Sequence, residues 1–177
     1  EESGTYLRKN SGHYDDLSIQ ISHGRVESIA AGESSLNLEG GEKLAYDRLL
    51  IATGARAVQL PVPGVDLAGV HNCWTLADAR EIAKLAKQDS NVVLIGAGFI
   101  GCIVLEALSA RGVNLTVVEM EDRMLPRMMD DVGGDMIKRW CESKGVTVLT
   151  GTKVTGIEAA NGSYKLALDG GASLDAD

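Results

Sequence analysis

Val92-Val93-Leu94-Ile95-Gly96-Ala97-Gly98-Phe99-Ile100-Gly101 is the stretch that decides the fold. Val92 to Ile95 is an unbroken apolar run, which suits a strand covered on both faces, since a half-exposed strand would alternate. Ile100, Ile103, Val104, Ala107 and Leu108 then recur at helical spacing, with Gly112 as the stop. Leu115-Thr116-Val117-Val118 is a second buried run, and it ends in Glu119. A bare G-x-G-x-x-G is weak, because glycine serves turns everywhere. Placed between a buried strand and a helix, with an acidic residue at the tip of the next strand, it is the signature of a dinucleotide-binding unit.

Each glycine then has a mechanical task. Gly96 permits the tight strand-to-helix turn, Gly98 leaves room for an approaching pyrophosphate, and Gly101 lets the helix pack closely on the strand. The freed amides and the positive end of the helix face the phosphates, so no lysine is required. Glu119 is placed to accept the ribose hydroxyls, and its charge would repel a 2′-phosphate. Met120, Glu121 and Asp122 supply no cation, and Arg123 is the nearest one that follows. NADH is therefore expected in preference to NADPH.

Working outward, the order strand, helix, strand repeats. Asp130 or Asp131 caps a helix through Val132, Met136, Ile137, Trp140 and Cys141, ended by Gly145, and Val146 to Leu149 is a third buried strand. This predicts an α/β, Rossmann-like parallel sheet flanked by helices. Lys153 to Ala159 and Tyr164 to Asp169 alternate around Asn161-Gly162 and read as an antiparallel hairpin inserted after it. On the N-terminal side, Leu17 to Ile21, Arg25 to Ile29 and Ser35 to Glu39 alternate like a small β-meander, and Leu49 to Ala52 is an apolar run that predicts a strand buried on both faces. Pro61, Pro63 and Gly64 mark a connector, and Thr75 can cap a helix over Leu76 to Gln88. The expected division is 1–60, a connector over 61–75, and a dinucleotide-binding domain over 76–177.

Composition narrows the function. The chain has 177 residues and a net charge of −8, with acidic and basic residues interleaved. That surface repels nucleic-acid phosphate. The longest apolar run, Val92 to Leu105, falls short of the roughly 20 residues of a membrane span, so no membrane partner is expected. Cys73, Cys102 and Cys141 are far apart, form no C-x-x-C, and read as thiols in a reducing cytoplasm. Cys102, just inside a helix and among Ile100, Ile103 and Val104, reads as a packed residue. His13, His23 and His71 are isolated and read as surface or loop residues, and Trp74 and Trp140 as core or interface residues. Glu106 reads as solvated.

Tyr46-Asp47-Arg48-Leu49-Leu50-Ile51-Ala52-Thr53-Gly54 resembles a segment of the FAD-dependent pyridine nucleotide-disulfide oxidoreductases. The resemblance continues through Pro61 to Val65, the Thr75-Leu76 helix start, the Gly96 motif, Val117-Val118-Glu119 and Asp122 to Arg127, and covers roughly 17–177. Within the family it is nearest the branch of rubredoxin and ferredoxin reductases and nitrite reductase flavin modules. It implies that Gly96, Gly98, Phe99, Ile100, Gly101 and Glu119 hold NAD(H), and that Val26, Ala52, Thr53, Gly54 and Arg56 line FAD, making residues 1–60 part of an FAD domain. Hydride would pass from NADH to the flavin and electrons on to an acceptor protein or small molecule, with a homodimer among the expected partners.

Three departures qualify the resemblance. No early glycine fingerprint for FAD precedes Tyr46, and the family's following apolar strand and dimerisation domain do not follow, so an internal piece of a longer flavoprotein, inactive alone, is expected. Where the family often has Glu two residues after the last motif glycine, this chain has Ile103; no catalytic side chain is named. Two other readings stand beside the leading one: a non-catalytic NADH sensor, and an FAD site at Gly96 to Glu119 itself.

Overall fold

A computed structural model of the protein describes residues 10–177, and the chain forms two compact units, one ending at Gly54 and the other running Ala55–Asp177. The first holds a short helix α1 (His13–Asp16) and an antiparallel sheet of β1 (Val26–Ala30), β2 (Ser35–Leu38) and β3 (Lys43–Ala45), in that order. The meander is present but displaced toward the C-terminus. Gly40 and Gly41, with φ of +95° and +87°, make the β2–β3 turn, a conformation an L side chain resists. Leu17 to Ile21 alternates yet forms no strand, and Leu17, Ile19 and Ile21 are exposed.

Leu49 to Ala52 corrects a second expectation. It is not a strand, and Leu50 is 87% and Ile51 63% exposed. An apolar run becomes a buried strand only where neighbours supply a hydrogen-bonding ladder and cover both faces, and among the described residues nothing pairs with this one.

The second unit carries the dinucleotide-binding pattern. Its connector lies directly on the later strands. Ile157 donates its amide to Pro63 O at 2.9 Å, and a Cβ at Gly64 would fall 1.9 Å from Ile157 O. Helix α2 (Leu76–Leu85) opens with a capping box, in which Asp78 N donates to Thr75 Oγ1 while the Asp78 carboxylate accepts from Thr75 N. Those bonds, led by the Thr75 amide, hold the Asp78 carboxyl below its ordinary value.

β4 (Asn91–Ile95), α3 (Phe99–Ser109), β5 (Asn114–Val118), α4 (Asp131–Ser143) and β6 (Thr147–Leu149) follow, and the three strands form a parallel sheet in the order β4-β5-β6. β7 (Val154–Ala160), β8 (Ser163–Leu168) and β9 (Ser173–Ala176) form an antiparallel meander. Asn161 and Gly162, at φ of +51° and +88°, supply the hairpin turn that Asn-Gly predicts.

The two layers explain the apolar runs. Val117 packs with Leu105, Leu108, Leu115, Met124, Cys141 and Val148, while its neighbour Val118 packs with Val154, Ile157, Leu166 and Leu168. Successive side chains of a strand point to opposite faces. Helices cover one face of the parallel sheet and the antiparallel meander covers the other, so no position of β5 needed to be polar.

Helix phase matched the expected apolar stripes only in part. In α3 Leu105 and Leu108 are buried and Cys102 and Val104 pack behind them, whereas Ile100 and Ile103 are about half exposed. A helix apolar on nearly every side carries no phase information. In α4 Cys141 is buried and Ile137 packs against the core as expected, whereas Val132, Met136 and Trp140 face out and Gly134 is buried instead. Gly134 sets that rotation, since a Cβ there would lie 2.9 Å from Met124 O. Trp74 and Trp140 are 51% and 56% exposed, so neither is a core residue. Among the described residues no helix is long and apolar enough to cross a membrane.

Candidate dinucleotide site

The site is built at the end of β4. Gly96 N donates to Val118 O at 2.8 Å, extending the ladder by one rung, and Gly96 then turns at φ +100°. Gly98 is the N-cap of α3 and provides no side-chain cap. The first amides of a helix have no partner within the helix. Here those of Gly98, Phe99, Ile100 and Gly101 have no acceptor among the described residues.

The three glycines differ in what surrounds them. A Cβ on Gly101 would sit 2.2 Å from Gly96 O, so this glycine is the one that lets α3 close on the strand end. A Cβ on Gly98 would meet nothing within 4 Å. Open space at Gly98, lined by unsatisfied N–H groups at the positive end of a helix, fits a diphosphate. It lies on a cavity of about 570 Å³ that runs along β4 and is also lined by Phe99, Ile100, Ile82 and Val104.

Glu119 follows β5 directly and is 6% exposed. Its Oε2 accepts from Ala97 N at 2.7 Å and its Oε1 from Glu121 N at 2.9 Å. Leu125 N in turn donates to Ala97 O at 2.9 Å. Ala97, 1% exposed, is thus held on its amide and its carbonyl by the single loop 119–125. That loop is itself fastened to the strand beyond it: Glu119 N donates to Leu149 O, Thr152 N to Glu119 O and Gly151 N to Glu121 O, at 2.8, 3.0 and 2.7 Å. A carboxylate has about four lone-pair positions, so two remain open after the amides are served. The sequence pointed to Glu119 but not to its hold on Ala97, because a side chain to backbone bond between residues 22 apart leaves no local pattern.

Arg123, the nearest cation after Glu119, lies in the loop before α4, and its side chain packs against the first turn of that helix. Its Nη1 donates to Asp122 Oδ1 at 2.7 Å and lies 3.0 Å from Asp131 Oδ1, and its Nε donates to Met129 O at 3.1 Å. The stem passes Gly134, where a Cβ would lie 2.9 Å from Arg123 Cβ.

Cys102 is a packed thiol, as its neighbours suggested. Its Sγ lies 3.7 Å from Ala97 O, and burial pushes its pKa up, helped by Cys141 and Glu119 nearby. Glu106 is exposed. Of the residues expected at FAD, Val26 is half exposed at the start of β1, and Ala52, Thr53 and Gly54 are exposed and irregular, with Gly54 at φ +72°. Arg56, in the second unit, is exposed as well. Within their units these residues form no cradle.

Comparison with known proteins gives one consistent result. The family described as "Pyridine nucleotide-disulphide oxidoreductase" matches residues 7–177. A rubredoxin-NAD(+) reductase of Pseudomonas putida is 30% identical over 178 residues, 99% of this chain and 46% of that protein. The ferredoxin reductase for the CYP199A2 system from Rhodopseudomonas palustris superposes with a TM-score of 0.88 at 27% identity, over 98% of this chain and 43% of that one. A FAD-dependent pyridine nucleotide-disulphide oxidoreductase from Desulfovibrio vulgaris gives 0.70 at 32% identity, over 92% and 43%. The chain thus spans about a fifth to just under half the length of the curated relatives it matches. None of these relatives supports the sensor reading.

Proposed function

Because this chain belongs to the pyridine nucleotide-disulphide oxidoreductase family, we propose that Gly96 to Glu119 is its NADH site and that the protein is a flavin-dependent NADH oxidoreductase. The observation that supports this most directly is the open space at Gly98 beside the unsatisfied amides of α3, with the buried Glu119 carboxylate bonded to the adjacent Ala97 amide. The amides of Gly98 to Gly101 donate to the diphosphate, where the helix end contributes roughly half a positive charge. Glu119 accepts the ribose hydroxyls on the lone pairs that Ala97 and Glu121 leave open. Phe99 and Ile100 line the cavity beside the ligand. Bound NADH supplies a hydride; the residues of this chain bind and orient it.

FAD is the proposed hydride acceptor, with Val26, Ala52, Thr53, Gly54 and Arg56 assigned to it on family resemblance. A small electron-transfer protein, of the kind named in the rubredoxin and ferredoxin reductases, is the proposed acceptor beyond the flavin. Residues 1–60 are assigned to the flavin domain, 61–75 to the connector and 76–177 to the NADH domain. The three unbridged thiols support a reducing, cytoplasmic location, which fractionation tests. A homodimer is the remaining expected association, read by sedimentation.

Calorimetric titration tests the site. NADH binds, and NADPH binds at least about tenfold more weakly, a difference of about 1.4 kcal/mol. Equal affinities would remove the role given to Glu119, and no binding of either would remove the site. Glu119→Gln keeps one acceptor oxygen but presents an N–H to the other amide, so it loses affinity for NADH.

A further inference from the structure

Resting on the NADH reading above, we propose that Asp122 and Asp131 are specificity-determining residues that exclude NADPH by holding Arg123 on α4. A 2′-phosphate is accommodated by an arginine near the acidic residue of the second strand, and the planar guanidinium is the side chain best matched to phosphate oxygens. This chain places an arginine four residues after Glu119, so the cation is present. Two of its three nitrogens are already engaged, Nη1 by Asp122 and Asp131 and Nε by Met129 O, so the guanidinium has no pair of neighbouring nitrogens that is wholly free.

The position would be unfavourable without those carboxylates. The Arg123 guanidinium reaches the N-terminus of α4, the positive end of the helix dipole, where a cation is repelled and an anion attracted. Asp130 caps that helix through Gly133 N at 2.8 Å, so it serves the backbone and leaves Asp131 and Asp122 to face the guanidinium. Gly134 supplies the room for the arginine stem, at 2.9 and 3.2 Å from a hypothetical Cβ. The guanidinium carrier is only 27% exposed although its partner carboxylates are 74% and 88% exposed. The arginine is folded inward and the acids reach out over it. A phosphate beside Glu119 therefore finds no wholly free two-nitrogen fork on Arg123, and two carboxylates already compete for it.

The test replaces both acids, as D122N/D131N, and measures NADH and NADPH binding by calorimetry, with a thermal melt as the check on folding. Both carboxylates are surface groups, so the fold persists, and the single variant D131N gives the same test at lower gain. NADPH affinity is expected to rise roughly three- to tenfold, the scale of releasing exposed ion pairs, while NADH affinity changes less than about twofold. Adding R123A to the double variant returns NADPH affinity toward the starting value. If NADPH affinity does not rise although NADH still binds, the proposal is wrong. A gain that survives R123A would also overturn it, since loss of negative charge or recruitment of Arg127 would then suffice. Absence of NADH binding in the unaltered protein is a different failure, that of the site itself, and takes this proposal with it.

Discussion

Leu49-Leu50-Ile51-Ala52 and Val92-Val93-Leu94-Ile95 look alike: four apolar residues running toward a glycine that turns at positive φ. The second becomes the first strand of a parallel sheet, with Asn91 to Ile95 in register with Asn114 to Val118. The first is exposed and irregular. Both runs are wholly apolar, and their contexts differ. β4 has β5 beside it, helices over one face and the antiparallel meander over the other, whereas nothing described pairs with 49–52. The apolar run states what a segment can tolerate; its neighbours decide what it becomes.

Met124, fully buried between the loop 119–125 and the helical face of the sheet, should lose about 2–5 kcal/mol on Met124→Ala, as core truncations do; chemical denaturation reads this, and a loss under about 1 kcal/mol would mean that the cluster is loosely packed. Gly101→Ala comes next. Its Cβ would overlap Gly96 O, so α3 must back away, at about 1–3 kcal/mol. NADH affinity should fall with it, because the displaced helix carries the binding amides. Retained stability with retained affinity would disprove the close-approach account.

The same logic shows what was legible in the sequence. Gly96, Gly98 and Gly101 announced themselves, because an αL turn, an open space and a backbone contact are local demands that only glycine meets. The parallel order of β4, β5 and β6 followed from alternation of element types. Three things were hidden. The phase of α4 is set by Gly134 and by the loop crossing it, a long-range contact, and α3 is apolar on too many sides to show its own. The Ala97 to Glu119 bond joins distant residues. The pairing of Arg123 with Asp131 depends on where α4 begins, and sequence placed its cap at Asp130 or Asp131 without saying which acid would turn toward the arginine.

Smaller effects sharpen the contrast. Burial raises the thiol pKa values of Cys102 and Cys141 in the folded state above those of the unfolded chain. The unfolded state then ionises first, so their contribution is complete below the ordinary thiol value and is lost as pH climbs through the folded one. Melting temperature should drop above about pH 8.5, and alanine at both positions should flatten that drop; alkylation of both thiols at neutral pH at a free-thiol rate would contradict it. Last, Leu50→Asp should change stability by less than about 0.5 kcal/mol, as surface substitutions do. A large loss would show that the run 49–52 is covered after all, and the comparison would fail at its weaker half.

The double grip on Ala97 has a kinetic consequence. A loop fastened at both its amide and its carbonyl before any ligand arrives has little left to rearrange, so docking of a diphosphate should proceed as a single encounter, without a slow ordering phase. Selectivity among nucleotides would then be read mainly in how fast they leave.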